Sequence, residues 1–238
     1  MYRYEARNEP DPRFEVGTAE LPLKGEDTSI VRDEIGLFGV FDGAGGSGEG
    51  GFAATLASAV FNVAMIKDEI YEAADSLENQ ITNLVGLLQD ASNIVSKSTD
   101  GVTTGTVARV IQIKEDDTTF PYLIWASAGD SRIYLYREGE ASQLSHDEGF
   151  GHHISNYLGH APNSSEPKTV EQSGFIRVTA SDKIILVTDG ITGDKEPNLL
   201  SEAQIAAVCD DESQNVANKL IEISTKNDDK TVIVVEVK

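Results

Sequence analysis

The chain has 238 residues, 39% of them hydrophobic, and a formal net charge of −21. That acidity argues against nucleic acid and anionic membrane surfaces as partners, because like charge repels both. The single cysteine, Cys209, excludes a disulfide framework; with no apolar run near the ~18 residues of a membrane span and no signal-peptide core at the N-terminus, a cytoplasmic location is expected.

Residues 1–20 mix charge with Pro10 and Pro12, and carry two short extended patches at 2–4 and 14–16. Strands are predicted over 28–32 and 35–41. Residues 48–71 read as a buried helix. A second helix is predicted over 75–97 from the helical spacing of Leu77, Ile81, Leu84, Leu87, Leu88, Ile94 and Val95, with Asp75 or Ser76 as its N-cap. Strands then dominate, over 103–113, 122–127 and 132–137. Gly129-Asp130 reads as a hairpin turn between the last two, and Glu138-Gly139 as another turn. Residues 145–168 hold all four histidines and form an irregular, flap-like excursion. Strands at 175–179 and 184–188 flank a polar turn at 180–183. Helices over 201–209 and 213–225 and a β-branched strand over 231–237 follow. Strand signals run from end to end, so one domain over residues 1–238 is expected. Its class is α+β, antiparallel-rich with segregated helices.

One stretch carries chemistry. The apolar run Leu37-Phe38-Gly39-Val40-Phe41 stops at Asp42, and Gly43-Ala44-Gly45-Gly46 follows. A carboxylate at a strand end, with a glycine carbonyl beside it, suits a hard metal ion. The pattern recurs. Asp189 ends Ile184-Ile185-Leu186-Val187-Thr188, Asp228 precedes the last strand, and Asp130 follows Ala126-Ser127-Ala128-Gly129. Taken singly, each Asp-Gly is as readily a turn. Taken together, acids at several strand ends predict one convergent site, which would repel itself unless cations held it. Oxygen ligands without His or Cys point to Mg²⁺ or Mn²⁺.

Other readings are weaker. Gly43 to Gly48 fits G-x-G-x-x-G, but Asp42 directly before it would oppose a pyrophosphate. His146, His152, His153 and His160 lack a zinc-ligand spacing. Cys209 precedes Asp210-Asp211-Glu212, which would raise its pKa, so it is expected to be inert. Arg132 is expected to brace its turn.

The motifs, in this order, resemble those of the metal-dependent (type 2C) protein serine/threonine phosphatases. Gly25-Glu26-Asp27 resembles that family's early Glu-Asp motif, and Val40-Phe41-Asp42-Gly43-Ala44-Gly45-Gly46 its Asp-Gly-His-Gly-Gly signature. Thr104-Gly105-Thr106-Val107-Ala108, Ala128-Gly129-Asp130-Ser131-Arg132, Leu186-Val187-Thr188-Asp189-Gly190 and Asp228-Asp229-Lys230-Thr231-Val232 are similar to the four motifs that follow. The resemblance implies a four-layer α/β/β/α sandwich, two antiparallel sheets flanked by helices. It implies two Mn²⁺ or Mg²⁺ ions between the sheets: Asp42 bridging both, the Gly43 carbonyl on one, Asp189 and Asp228 on the other, Glu26 acting through water and Asp27 beside it. The activity implied is hydrolysis of phosphoserine and phosphothreonine in proteins, by direct attack of a metal-bridging water or hydroxide. The partner implied is a phosphorylated protein, and a monomer is expected.

The sequence also departs from the family pattern. Pro22 stands where an Arg usually grips the substrate phosphate, leaving Lys24 as the nearby cation for it. Ala44 replaces a His proposed as leaving-group acid. Gly193 stands where a further Asp usually joins the counterpart of Asp130 on a third ion, which argues against a third ion here. These departures support an alternative, a weak or silent member of the same fold that binds a phosphoprotein or a regulator.

Overall fold

The computed structural model describes residues 13–44, 48–64, 76–150, 153–160, 166–193 and 197–238. Strands β1 (Phe14–Leu21), β2 (Asp27–Arg32) and β3 (Leu37–Ala44) lead into helices α1 (Glu49–Ala64) and α2 (Leu77–Ser98). Next come β4 (Val102–Thr103), β5 (Gly105–Glu115), β6 (Thr118–Ala128), β7 (Arg132–Arg137), β8 (Glu140–Gln143), and the short pair β9 (Gly149–Phe150) and β10 (His153–Ile154). The last elements are β11 (Gln172–Arg177), β12 (Lys183–Val187), α3 (Asp189–Thr192), α4 (Glu202–Ala206), α5 (Ser213–Ile223) and β13 (Lys230–Val237).

The strands form two antiparallel sheets, one in the order β1-β13-β12-β7-β8 and the other β11-β6-β5-β3-β2, with β4 on the end of β3. Both faces of the central strands are covered. That is why β3, β12 and β13 read as nearly unbroken apolar runs rather than alternating ones. In β3, Phe38 and Val40 point between the sheets and join Ile184, Leu186, Ile233 and Val235. Leu37 and Phe41 point the other way and pack with Phe61 of α1 and Leu88 of α2. Beyond the other sheet, Ile185, Val187, Val232 and Val234 pack on Val216 and Leu220 of α5. The order of layers is therefore helix, sheet, sheet, helix, as the sequence resemblance implied.

Several local readings are corrected. Gly129-Asp130 does not close a hairpin: β6 pairs with β5 and β11 in one sheet, whereas β7 pairs with β12 and β8 in the other. The turn carries the chain across the sandwich, and so does residues' 178–182 segment between β11 and β12. A turn between apolar strands looks the same in sequence whether the strands pair or part. Glu138-Gly139 is a true hairpin turn joining β7 and β8, with φ of 54° and 89°, the doubly positive geometry that suits strand twist. Strand β3 runs two residues past Asp42, because Gly43 and Ala44 pair with Thr103 and Val102. Ser76 caps α2, its hydroxyl accepting from the Asn79 N–H at 3.2 Å; Asp75 and residues 65–71 of the helix predicted over 48–71 lie outside the described residues. Within the excursion over 145–168, Leu158 is fully buried and exchanges backbone hydrogen bonds with Thr103 at 3.1 and 2.7 Å.

Candidate metal centre

The acids singled out by sequence come from both sheets to one end of the sandwich. Antiparallel pairing sets the start of β2 against the end of β3, so Asp27 and Asp42 are direct cross-strand partners. In the other sheet β12 ends at Val187, and Thr188 and Asp189 follow into α3. The antiparallel β13 begins at that same end, just after Asp228 and Asp229. The β6–β7 crossover hangs Asp130 between the sheets.

Hydroxyls tie the two halves together. Thr188 Oγ1 and Thr231 Oγ1, both from the β12/β13 sheet, each donate to Asp27 Oδ2 at 2.8 Å. The Asp42 backbone is anchored by Thr104: its N–H donates to Thr104 Oγ1 at 3.0 Å, and its carbonyl accepts from the Thr104 N–H at 2.8 Å. Asp229 serves as a backbone clamp. Its Oδ1 accepts from the N–H groups of Leu23 and Lys24, both at 2.5 Å, and its Oδ2 from that of Glu26 at 2.6 Å. Glu26 is thereby fixed, and its carbonyl accepts from the Gly43 N–H at 3.1 Å.

Each acid-glycine step has a packing reason. A Cβ on Gly43 would overlap the Gly50 backbone and lie 2.8 Å from the Glu26 carbonyl oxygen. A Cβ on Gly190 would overlap the Asp229 carbonyl. The glycines let backbones from different elements close around the acids.

Buried acids here raise one another's proton affinity. Burial, then the charges of Asp27, Asp189 and Asp130, push the Asp42 carboxyl far above the usual carboxylate range. Burial raises Asp27 to about 7 against the two threonine hydroxyls that lower it. Burial, with the charges of Asp189 and Asp147, also takes Asp130 to about 7. Asp147 is held there by Arg132, whose Nε and Nη2 reach its two oxygens at 2.8 and 2.6 Å. Asp27 Oδ1 and Asp130 Oδ1 are buried and have no hydrogen-bond partner among the described residues.

The Asp189–Asp228 half differs, because lysines already reach it. Lys226 Nζ is ion-paired with Asp189 Oδ2 and lies 3.4 Å from Asp228 Oδ2. Lys24 Nζ sits 2.6 Å from Asp228 Oδ1, with its own side chain half exposed at the mouth. Burial opposes them, yet these ammonium groups hold the Asp228 carboxyl below its ordinary range.

The sequence matches the family described as Protein phosphatase 2C over residues 14–158. This chain belongs to the protein phosphatase 2C family. Solved structures of similar fold include the catalytic domain of the serine/threonine protein phosphatase PstP in complex with two manganese ions, at 21% identity and a TM-score of 0.73, covering 94% of this chain and 98% of that one. The Mycobacterium tuberculosis phosphatase PstP/Ppp is similar at 20% identity and a TM-score of 0.71, covering 94% and 99%. The S. agalactiae serine/threonine phosphatase is similar at 20% identity and a TM-score of 0.72, covering 94% of this chain and 100% of that one. Comparison with curated protein sequences finds no match.

A phosphatase 2C centre needs hard cations, and this donor set suits them: carboxylates and carbonyls, two of the buried oxygens unpartnered, and acids that raise one another's proton affinity. Among the described residues, no three His, Cys, Asp or Glu side chains are drawn together as a ready-made cage. Thr188, Thr231 and Asp229 were not singled out by sequence, because they act across 161 to 206 residues of chain. Lys226 carried one signal, its place two residues before Asp228. Of the histidines, His146 is tied through its backbone to Gln172, His160 lies 3.9 Å from Asp100, and His152 lies outside the described residues.

Proposed function

We propose that this protein is a divalent-metal-dependent phosphatase acting on phosphoserine and phosphothreonine in proteins. The observation that carries this reading is the convergence of Asp42, Asp27 and Asp130 with two unpartnered buried oxygens, in a chain of the phosphatase 2C family. Asp42, Asp189 and Asp228 are the principal candidate ligands, with the Gly43 carbonyl; Glu26 contributes through water, Asp27 stands beside Asp42, and Asp130 is the candidate for any third ion. When bound, Mn²⁺ or Mg²⁺ ions would neutralise phosphate oxygens and supply an activated water for direct attack on phosphorus. The protein's own residues do the rest. Thr188 and Thr231 fix Asp27, Thr104 fixes the Asp42 backbone, and Asp229 holds residues 23–26 against the site. Lys24, half exposed at the mouth, attracts a phosphate dianion toward a strongly acidic chain. It is a point charge rather than the two-pronged fork of an Arg, so phosphate is gripped less specifically.

The net charge of −21 supports a protein substrate rather than nucleic acid. Among the described residues no helix is long and apolar enough to cross a membrane. We propose a cytoplasmic monomer, in keeping with a single, buried, free cysteine. The runner-up, a weak or silent member that binds a phosphoprotein or regulator, draws on Pro22 and on the lysines beside Asp228.

Hydrolysis of a phosphothreonine peptide separates the two. Turnover with Mn²⁺ or Mg²⁺ that EDTA abolishes and Asp189→Asn loses is the expected result. No turnover at millimolar Mn²⁺, from folded protein that binds the metal, would favour the binding module.

A further inference from the structure

The two halves of the acidic centre are unequally supplied with positive charge. On one side, Asp27 and Asp130 each keep a buried oxygen without a partner. On the other, the Lys226 ammonium lies between Asp189 Oδ2 and Asp228 Oδ2. The three side chains are largely buried, with 13%, 15% and 23% of their surfaces exposed. An ammonium in this place supplies the positive charge that the two carboxylates require, and stripping one partner from such a pair is costly.

We propose that Lys226 is the resident counter-ion of the Asp189–Asp228 pair, and that a divalent ion enters this pair only by expelling it. The inference rests on the metal-dependent reading of the site. It makes Lys226 the residue that sets the affinity of the second ion, and with it the divalent-ion concentration at which the centre fills.

Position and chemistry both support exchange rather than permanent closure. Lys226 stands in the short connection between α5 and β13, outside regular structure. A lysine head is a compact, strongly hydrated charge on a flexible stem, without the fixed fork that would lock it to a carboxylate. Its competitor would be a doubly charged ion with the same preference for hard oxygen. Lys24, on the other oxygen of Asp228, is half exposed and can remain paired during the exchange. On the Asp42 side, Asp27 Oδ1 and Asp130 Oδ1 have no hydrogen-bond partner among the described residues.

The test is Mn²⁺ binding to the whole chain, by calorimetry and by electron paramagnetic resonance, for wild type and Lys226→Met. Wild type is expected to bind one Mn²⁺ tightly and a second at least tenfold more weakly. Lys226→Met is expected to tighten the second at least tenfold and to show the spin-coupled signal of a metal pair at lower Mn²⁺. Two ions of matched affinity in both proteins would overturn the role of Lys226 while leaving the metal-dependent reading intact. No Mn²⁺ bound by either would overturn both.

A second measurement needs only wild-type protein and covers the case in which Lys226→Met fails to fold. The Lys226 Cε resonance, identified by its loss in Lys226→Arg, is followed during Mg²⁺ titration. It is expected to move with the weaker phase. Movement complete with the first equivalent, or no movement while two ions bind, would overturn the proposal.

Discussion

Asp27 and Asp42 face each other as direct partners across β2 and β3, two carboxylates on neighbouring strands. Like charges placed opposite in a sheet destabilise it, and here burial compounds the effect. Asp27 and Asp130 are both raised to about 7, above the ordinary range near 4. The sign follows from linkage. A carboxyl whose folded pKa exceeds its unfolded one holds its proton more tightly in the folded state. Its folding is therefore most favourable below about pH 4 and loses stability progressively as pH rises to about 7. Acid denaturation elsewhere in the chain sets the lower limit, so metal-free protein is expected to melt several degrees higher at pH 5.5 than at pH 7.5. Saturating Mn²⁺ is expected to flatten or reverse that difference. Thermal melts across this range, with EDTA and with Mn²⁺, check both halves.

Asp42→Asn follows from the same geometry with a sharper signature. The substitution replaces a carboxyl whose ionised form the site disfavours with a neutral amide of nearly the same volume. Metal-free protein is expected to gain stability, because a carboxyl whose proton affinity rises on folding is a destabilising one at neutral pH. Metal-dependent stabilisation is expected to fall. A ligand at a hundredfold excess over its Kd adds about 2.7 kcal/mol, and most of that increment should vanish with Asp42. Melting temperature against Mn²⁺ concentration shows both effects in one experiment: a higher starting point and a flatter rise.

Much of the fold was legible because burial on both faces leaves an obvious trace. Runs such as Ile184 to Val187 and Val232 to Val235 can only be central strands, and acids at their ends stand out against them. What stayed hidden was whatever depended on which strands become neighbours. Gly129-Asp130 has the residues of a tight turn, yet its flanking strands enter different sheets, a choice made by their packing partners rather than by the turn. The threonine clamp on Asp27 joins residues 161 and 204 positions apart. Lys226 was equally obscure. A lysine near an aspartate in sequence is usually a solvated pair, and only the fold brings Asp189 within its reach.

Cys209 is buried, and burial pushes its thiol up to about 12. Its Sγ lies 3.1 Å from the Ile205 carbonyl oxygen, inside the layer formed by α4, α5 and their sheet. The thiolate is the reactive form, so a buried thiol with a raised pKa should be inert. Native protein is expected to resist a thiol reagent at pH 8 for hours, whereas one equivalent should react rapidly in denaturant. Fast native modification would mean that this helical layer opens locally on a short timescale.

Two glycines make opposite predictions. Gly190 follows Asp189 in α3, and a Cβ there would overlap the Asp229 carbonyl oxygen. Asp229 cannot yield easily, since its carboxylate clamps the N–H groups of Leu23, Lys24 and Glu26. Gly190→Ala should therefore force backbone apart at the centre, at a cost of about 1–3 kcal/mol, and weaken Mn²⁺ binding with it. Gly86 lies mid-way along α2, and a Cβ there meets no atom within 4 Å. Gly86→Ala trades a flexible helical position for the best helix former, and should stabilise by about 0.5–1 kcal/mol. At roughly 2–4 °C per kcal/mol for a chain of this size, the two variants should melt on opposite sides of wild type. Mn²⁺ affinity should change in only one of them, Gly190→Ala. Were Gly190→Ala to melt like wild type, the close approach of α3 to Asp229 would not be a fixed feature of the folded centre.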